Sequence, residues 1–381
     1  MKKIAIVTGT RAEYGILKPV MKAVKLRPQL NLSLIVTGMH LSKEFGYSVS
    51  EIEKDGFKID AKVSMLHIED TGAAMAKSIG QCVRKMVRAF EKIRPDIVIL
   101  LGDRAEILAA AIAATYMNLP IAHLHGGELS GSVDNPVRHA ISKLAHIHFP
   151  ATKRSAERLI KMGEDPERIF VVGAPALDTI LRERLLSQAK LSKKYCLDVS
   201  KPILLVLQHS VVTEANEAAN QMKQTLDAIV KLKHQTVLIY PNADAGGRGM
   251  IKVIKRYRRY PFIKSFKNIP FVDYLSLMKV ASVMVGNSSS GIIEAPSFHL
   301  PVVNIGTRQK GRERSTNVID VNYDRRTITR AIKKALYDKK FRAKVKKCRN
   351  PYGDGNAAQS IVKVLSKTEI TPKLLQKKIT Y

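Results

Sequence analysis

Polar residues that could do acid–base chemistry or bind anions lie directly after four predicted strands. They form clusters at 8–15, 37–40, 102–104 and 123–128. Carboxylates and histidines in such positions can move protons, and arginine can bind phosphate through two parallel hydrogen bonds. Because ligands of parallel α/β sheets bind beyond the carboxyl ends of the strands, we expect these clusters to meet in one cleft.

The candidates for proton transfer are three carboxylates, Asp103, Glu128 and Asp134, and two histidines, His125 and His209. Asp103 and Asp134 each precede a helical pattern, so both also fit the alternative role of a helix N-cap. A lone histidine is more often structural. His209, however, directly follows an apolar strand, where a donor to a departing phosphate oxygen is expected.

The segment Gly286–Gly291 is a candidate phosphate-binding loop. Small and hydroxyl-bearing residues between a predicted strand and a predicted helix present free backbone N–H groups and the positive end of a helix dipole. No Gly-Lys-Ser/Thr sequence follows, so the loop is not a Walker A motif. A tight turn with ordinary serine capping is the alternative. The candidate binding residues of this loop are Asn287, Ser288, Ser289, Ser290 and Gly291.

Further binding candidates lie beyond this loop and in the first half of the chain. Glu294, on the helix after the loop, is suited to accept hydrogen bonds from ribose hydroxyls. Arg308 and Arg312 offer paired donors for a diphosphate, with solvated surface arginines as the alternative. Arg11 and His40 are expected to reach the same ligand from the opposite side of the cleft.

A metal site is not expected. His123 and His125 alternate at a strand end and are followed by Glu128, which could suggest metal ligands. These residues lie on a turn, however, without a further well-spaced partner.

Short β-branched runs alternate with amphipathic stretches through the first half of the chain. This alternation predicts a parallel sheet covered by helices on both faces. The predicted strands are 3–7, 31–36, 97–101, 121–124, 147–149 and 169–172, and the predicted helices are 16–26, 75–93, 106–117, 137–144 and 152–162.

A second alternating series begins after Pro202, with predicted strands at 203–207, 236–240, 283–285 and 302–305. A charged, helical stretch at 173–198 is the predicted linker. We therefore expect two similar α/β domains, residues 1–175 and 176–355, facing each other across a cleft. A helix at 356–366 is expected to pack back on the first domain, and the basic residues 367–381 have the composition of a mobile tail.

The chain is strongly basic, with 64 Lys and Arg residues against 33 Asp and Glu and a net charge of +31. Nucleic-acid binding is one interpretation. The charge is spread along the chain without a nucleic-acid motif, which favours a solvated basic surface that attracts anionic substrates. No apolar run reaches the ~18 residues of a membrane span. The three scattered cysteines fit a reducing cytoplasm, so we expect a cytoplasmic protein.

The chemical motifs occur in an order that resembles one enzyme family. They are Thr8–Tyr14, Gly102-Asp103-Arg104, His-x-His-Gly-Gly-Glu at 123–128, Asp134 with Arg138-His139, Gly286–Gly291 with Glu294, Gly306–Arg312 and Tyr352–Ala357. Together they are similar to the hydrolysing UDP-N-acetylglucosamine 2-epimerases of sialic-acid-type pathways, over about residues 3–365. The resemblance implies two Rossmann-like domains of the glycosyltransferase-B type, in agreement with the strand pattern.

The resemblance also implies a site and a reaction. UDP would be eliminated with loss of the sugar C2 proton, and water would add at C1 to release a free manno-configured sugar, without cofactor or metal. His125 stands where some members carry a carboxylate, so the proton-transfer role is open between His125 and Glu128. Homodimers or homotetramers are also implied. The implied UDP-binding residues are Arg11, His209, Ser288, Ser289, Glu294 and Arg308, with Asp103 and Asp134 around the sugar.

Three alternatives are open at this point. One is a non-hydrolysing epimerase that re-adds UDP, another is a UDP-sugar glycosyltransferase, and a third is a non-catalytic protein that binds UDP-sugar or nucleic acid. The sequences at 306–312 and 125–128 favour the hydrolysing branch. The sugar itself is open between UDP-N-acetylglucosamine and its 2,4-diacetamido-2,4,6-trideoxy analogue.

Overall fold

Continuous apolar segments form two six-stranded parallel sheets in the computed structural model, which describes residues 1–380. The strands of the first sheet are β1 Lys2–Thr8, β2 Leu30–Thr37, β3 Ala61–Val63, β4 Ile97–Leu101, β5 Ile121–Leu124 and β6 Ile147–Phe149. Those of the second sheet are β7 Ile203–Leu207, β8 Gln235–Ile239, β9 Ile263–Phe266, β10 Val283–Gly286, β11 Val302–Ile305 and β12 Val318–Val321.

Helices cover both faces of each sheet and enclose a buried apolar cluster on each face. In the first half they are α1 Arg11–Lys25, α2 Val49–Lys54, α3 Gly72–Ile93, α4 Ala105–Tyr116, α5 Asp134–Leu144, α6 Lys153–Lys161, α7 Pro175–Arg182 and α8 Gln188–Tyr195. In the second half they are α9 Ala218–Leu232, α10 Gly247–Tyr257, α11 Phe271–Val280, α12 Ser290–Ile293, α13 Arg325–Tyr337, α14 Lys339–Lys346, α15 Ala357–Lys367 and α16 Pro372–Leu375.

Both sheets have the same strand order. It is β3-β2-β1-β4-β5-β6 in the first and β12-β11-β10-β7-β8-β9 in the second. The order reverses between β1 and β4, and again between β7 and β10, and doubly wound sheets bind ligands at such switch points. The loops after these four strands carry Arg11, Asp103, His209 and Ser288. The expected architecture of two Rossmann-like domains is confirmed.

The turn from β1 into α1 is fixed by a capping box. Thr10 caps α1, and the Glu13 carboxylate accepts hydrogen bonds from the backbone N–H groups of Gly9 and Thr10 at 2.9 and 3.0 Å. Burial and the nearby Glu106 raise the pKa of Glu13 to about 8. A Cβ at Gly9 would lie 2.1 Å from Oε1 of Glu106, so the turn requires glycine. This turn holds Arg11 at the start of α1.

The sequence-based strand assignment differs from the structure mainly at the sheet edges. The strand predicted at 169–172 is wrong, because Ile169 forms only an isolated bridge with His148. Three strands, β3, β9 and β12, were not predicted. All three are edge strands of three or four residues, with partly exposed side chains. Edge strands are covered on fewer sides and therefore lack the continuous apolar signal.

The end of the chain returns to the first domain. α15 contributes Ile361 and Leu365 to the buried cluster that also contains residues of β1 and α1. The residues after it, expected to be mobile, form α16 and lie against α5. Lys377 Nζ donates hydrogen bonds to three backbone carbonyls at the carboxyl end of α5 and pairs with the buried Glu164. Among residues 1–380, no helix has both the length and the apolar character to cross a bilayer.

Candidate active site

A cleft between the two domains lies over both switch points. Its walls combine the loops after β1, β4 and β5 with those after β7, β8, β10 and β11. Most predicted site residues line it, namely Arg11, Asp103, His125, Asp134, His209, Ser288, Ser289, Ser290, Glu294, Arg308 and Arg312.

The loop after β10, residues 286–291, is called the serine loop below, and its serine residues line the cleft. Ser288 Oγ lies 2.7 Å from Ser290 Oγ, which lies 2.6 Å from the hydroxyl oxygen of Tyr274. Within residues 1–380, the backbone N–H groups of Ser288 and Ser289 donate no hydrogen bond. The helix that follows, α12, has only four residues, so the expected helix dipole contributes little. Free N–H groups and hydroxyls are therefore the groups that the loop offers to an anion.

His209 is held as a neutral hydrogen-bond donor. Its Nδ1 accepts a hydrogen bond from the backbone N–H of Asn242 at 3.1 Å, so the ring proton lies on Nε2. Burial, with Arg308 and Arg104 nearby, lowers the pKa of His209 well below its usual value. The Asn287 side chain fixes the backbone on either side, accepting from the N–H of His209 at 2.7 Å and donating to its carbonyl at 2.9 Å.

Five arginines line the cleft, and four of them are paired with carboxylates. Arg11 forms no salt bridge within residues 1–380, and its Nη1 is buried without a hydrogen-bond partner. Its guanidinium lies 5.9 Å from the centroid of the Tyr274 ring. Burial lowers the pKa of Arg11 from its usual value. Because no carboxylate is paired with it, Arg11 is the cleft arginine whose charge is most available to an anionic ligand. The paired arginines are Arg104, Arg138, Arg308 and Arg312.

Both predicted aspartates lie in the cleft and face guanidinium groups. Asp103 pairs with Arg138, which is almost fully buried in α5. Asp134, the first residue of α5, lies 3.2 Å from an Nη atom of Arg308 in the second domain. Neither aspartate caps a helix, since Arg104 is the N-cap of α4 and Val133 that of α5. The N-cap alternative is therefore wrong for both.

Glu128 lies behind the cleft wall rather than on it. Its Oε1 is 2.9 Å from Nδ1 of His125, and its Oε2 accepts a hydrogen bond from Nε of Arg312 at 2.9 Å. Arg312 also donates to the side chain of Gln309 at 3.0 Å. Although burial would raise the pKa of Glu128, Arg312 and His125 lower it to about 2. Without a ligand, the guanidinium of Arg312 is therefore engaged by Glu128, and its binding of a diphosphate stays a prediction.

Glu294 is buried beside the serine loop. Burial raises its pKa to about 7, and its Oε2 has no hydrogen-bond partner among the described residues. An unpartnered carboxylate oxygen at the cleft wall fits an acceptor for ligand hydroxyl groups.

Three predicted binding residues make structural contacts in the protein without a ligand, and their binding role stays a prediction. His40 is fully buried, with its ring nitrogens 3.1 Å from Thr8 Oγ1 and 2.8 Å from Ser48 Oγ. Asn287 uses its side chain to hold His209. Gly291 packs against β11, where an added Cβ would lie 2.9 Å from a methyl group of Val302.

The structure adds residues that sequence reasoning did not select for the site. Arg138 lies within a quoted motif and could have been inferred from it. Tyr274 and Asn242 follow no motif, and they become relevant only through their contacts with the serine loop and His209. Asp244 in the second domain pairs with Arg104 in the first at 3.5 Å, which only the domain arrangement reveals. Among residues 1–380, no group of three or more His, Cys, Asp or Glu is placed to hold a metal ion.

Known proteins resemble this chain over almost its whole length. Residues 22–366 match the family model described as UDP-N-acetylglucosamine 2-epimerase. The chain is 42% identical over 377 residues to the UDP-N,N'-diacetylbacillosamine 2-epimerase (hydrolyzing) of Legionella pneumophila subsp. pneumophila, with 99% of each chain covered. It is 36% identical over 343 residues to the UDP-N-acetylglucosamine 2-epimerase of Neisseria meningitidis serogroup B, with 90% of each covered.

Solved structures share the fold. The UDP-GlcNAc 2-epimerase from Neisseria meningitidis bound to UDP-GlcNAc superposes with a TM-score of 0.80 at 18% identity, covering 96% of this chain and 100% of that one. The Methanocaldococcus jannaschii UDP-GlcNAc 2-epimerase in complex with UDP-GlcNAc and UDP gives a TM-score of 0.78 at 18% identity, with the same coverage.

Proposed function

The chain belongs to the UDP-N-acetylglucosamine 2-epimerase family, and we propose that it is a hydrolysing member. It converts a UDP-N-acetylglucosamine-type sugar to UDP and the free manno-configured sugar. The observation that carries this proposal is that the two domains contribute different kinds of groups to the cleft. The second domain offers donors for a diphosphate, and the first domain offers proton-transfer groups beside them.

The diphosphate lies between Arg11 of the first domain and the serine loop of the second. Arg11 brings an unpaired positive charge, and Ser288 and Ser289 bring free N–H groups. The Nε2–H of His209 donates to the phosphate oxygen that leaves C1. Fixed donors aimed at an oxygen that gains charge stabilise the transition state of bond breaking. Glu294 accepts hydrogen bonds from the ribose.

The sugar lies toward the first domain. The C2 proton of a sugar is hardly acidic, so its removal accompanies the departure of UDP from C1 and leaves a glycal-like intermediate. Asp103, Asp134 and His125 line the first-domain side of the cleft. Protonation of C2 from the opposite face and addition of water at C1 then give the free epimer. Closure of the two domains over the substrate then limits access of bulk water until both bonds have changed.

The sugar we favour carries acetamido groups at both C2 and C4. The relative with 42% identity over 99% of each chain is named for UDP-N,N'-diacetylbacillosamine. UDP-N-acetylglucosamine is the second candidate, supported by the name of the relative with 36% identity.

The test is to incubate the protein in heavy water with each UDP-sugar and follow the products by NMR. We expect free manno-configured sugar, UDP and deuterium at C2, with faster turnover of the diacetamido substrate. Retained protium at C2 would contradict any 2-epimerase. A product still attached to UDP would instead indicate the non-hydrolysing reaction.

A further inference from the structure

His125 combines burial with an unused ring nitrogen. It follows β5 with a backbone φ of +61°, a conformation that is uncommon for a residue other than glycine. Its Nδ1 lies 2.9 Å from Oε1 of Glu128. Its Nε2 is buried and has no hydrogen-bond partner among residues 1–380, and the residue lines the cleft. Strain and an unpartnered polar atom in one residue are typical of a functional position.

The neighbours of His125 determine where its proton lies. Glu128 is held as a carboxylate by Arg312, whose Nε donates to its Oε2 at 2.9 Å. A carboxylate only accepts hydrogen bonds, and two lone pairs at 2.9 Å would repel each other. Nδ1 of His125 therefore carries the proton, and Nε2 has a free lone pair.

The two cleft histidines are thus held in opposite tautomers. The backbone N–H of Asn242 occupies Nδ1 of His209, which leaves a proton on Nε2 of that ring. The carboxylate oxygen Oε1 of Glu128 lies 2.9 Å from Nδ1 of His125, which favours the proton on Nδ1 and leaves a lone pair on Nε2 of that ring. One histidine is built to donate and the other to accept.

Other candidate bases in the cleft are already engaged. Asp103 pairs with Arg138, and Asp134 pairs with Arg308. A carboxylate bonded to a guanidinium has engaged the lone pairs that a base would need. Nε2 of His125, in contrast, has no partner, and the carboxylate of Glu128 lies beside the ring that would become positively charged.

We infer that His125 is the base that removes the C2 proton of the substrate, with Glu128 as the residue that positions it. This inference rests on the proposed function. The C2–H bond breaks as its electron pair forms the C1–C2 double bond, and the C1–O electron pair leaves with UDP. The proton forms an N–H bond at Nε2 of His125.

The second half of the reaction returns every group to its starting protonation state. Asp134, which takes up a proton once Arg308 has exchanged it for a phosphate oxygen, gives that proton to the other face of C2. Water bonds to C1 through its oxygen, and the proton that it loses restores the carboxyl group. His125 then releases its proton to solvent as UDP leaves. The net change is UDP-sugar plus water to UDP, free sugar and one proton.

The experiment uses two variants that tolerate a positive φ, His125→Asn and His125→Gly. Both are assayed for UDP release and for deuterium at C2 in heavy water, and UDP binding is measured by calorimetry as a check of folding. A positioned general base contributes about 10²–10⁴-fold, so we expect turnover and C2 exchange to fall about 10³-fold with UDP affinity within about threefold. The control is His234→Asn, since His234 lies outside the cleft and should leave the rates unchanged.

Chemical rescue separates a base from a structural group. Imidazole added to His125→Gly should restore turnover at least about tenfold, because it can occupy the space left by the removed ring and take the proton. Glu128→Gln should lower kcat about 10²-fold with little change in KM, since the neutral amide no longer places a negative charge beside the imidazolium that forms.

The outcomes distinguish this inference from the proposed function. If His125→Asn incorporates deuterium at C2 within tenfold of the wild-type rate, or if imidazole fails to rescue His125→Gly, His125 is not the base. The protein would still be a 2-epimerase in either case. If the wild-type protein neither releases UDP nor incorporates deuterium, the proposed function itself is wrong.

Discussion

The ion pair between Asp134 and Arg308 leads to a prediction that separates binding from turnover. The two side chains come from different domains, lie 3.2 Å apart and are 18% and 14% exposed. A diphosphate bound by Arg308 must compete with the carboxylate of Asp134 for the same guanidinium. We therefore expect Asp134→Asn to bind UDP more tightly than the wild type, even though it removes a candidate catalytic group.

The magnitude follows from the geometry of the pair. Two unit charges at this separation attract by roughly 5 kcal/mol at an effective dielectric constant of 20, and desolvation cancels most of that energy. Partly exposed pairs retain about 1 kcal/mol. Breaking the pair therefore weakens UDP binding about fivefold in the wild type, since 1.4 kcal/mol corresponds to about a factor of ten. Removing the repulsion between Asp134 and the diphosphate brings the expected gain to about five- to tenfold.

Isothermal calorimetry with UDP measures this gain, and the NMR assay measures turnover in the same variant. Turnover should fall at least about 10²-fold. Asp320→Asn is the matched control, because Asp320 pairs with Arg314 outside the cleft lining. It should change neither quantity. Unchanged or weaker UDP binding in Asp134→Asn would refute the competition argument.

Four further predictions concern the fold and the ligand. Lys377→Met should lower Tm by about 4–10 °C in a thermal melt, because it leaves a buried carboxylate short of a partner, whereas the exposed Lys378→Met should not. Gly15→Ala should raise the Kd for UDP about tenfold, because its Cβ would lie 2.2 Å from an aromatic ring of α11 in the other domain. Gly80→Ala, with open space around it, should instead stabilise α3 by up to about 1 kcal/mol, as denaturant titration would show. Since burial raises the pKa of Glu294 to about 7, UDP affinity should increase from about pH 6 to 8 as the carboxylate forms, and Glu294→Gln should abolish that dependence in calorimetry.

The central strands could be predicted from the sequence because each is an uninterrupted apolar run. β4 and β7 are buried on both faces and apolar in every residue, and β1 is buried and apolar from Ile4 to Val7. Once they are recognised as parallel strands, the polar residues that follow them mark the cleft. Arg11, Asp103 and His209 could therefore be placed before any coordinates were known.

The remaining site contacts could not be predicted, because they depend on pairings between distant segments. His40 follows β2 as His209 follows β7, and only packing distinguishes them. Ser48 and Thr8 occupy both ring nitrogens of His40, whereas Asn242 occupies one nitrogen of His209. A strand-end position thus locates a side chain near the cleft but does not establish that it faces a ligand.

The cleft is rich in arginine, and carboxylates neutralise most of these arginines while no ligand is bound. Unpaired buried cations are costly, so the arginines around the sugar and the diphosphate are held by carboxylates in the free protein. Arg11 is the exception, and under the proposed function we expect it to provide the first attraction for the diphosphate. We expect Arg308 then to exchange the carboxylate of Asp134 for a phosphate oxygen, which frees Asp134 to take up a proton and to face the sugar. Arg312, in contrast, is expected to stay with Glu128, because the inferred role of His125 needs Glu128 as a carboxylate. The two arginines lie four residues apart on one loop, and we propose different roles for them, one in binding the ligand and one in keeping Glu128 charged beside His125.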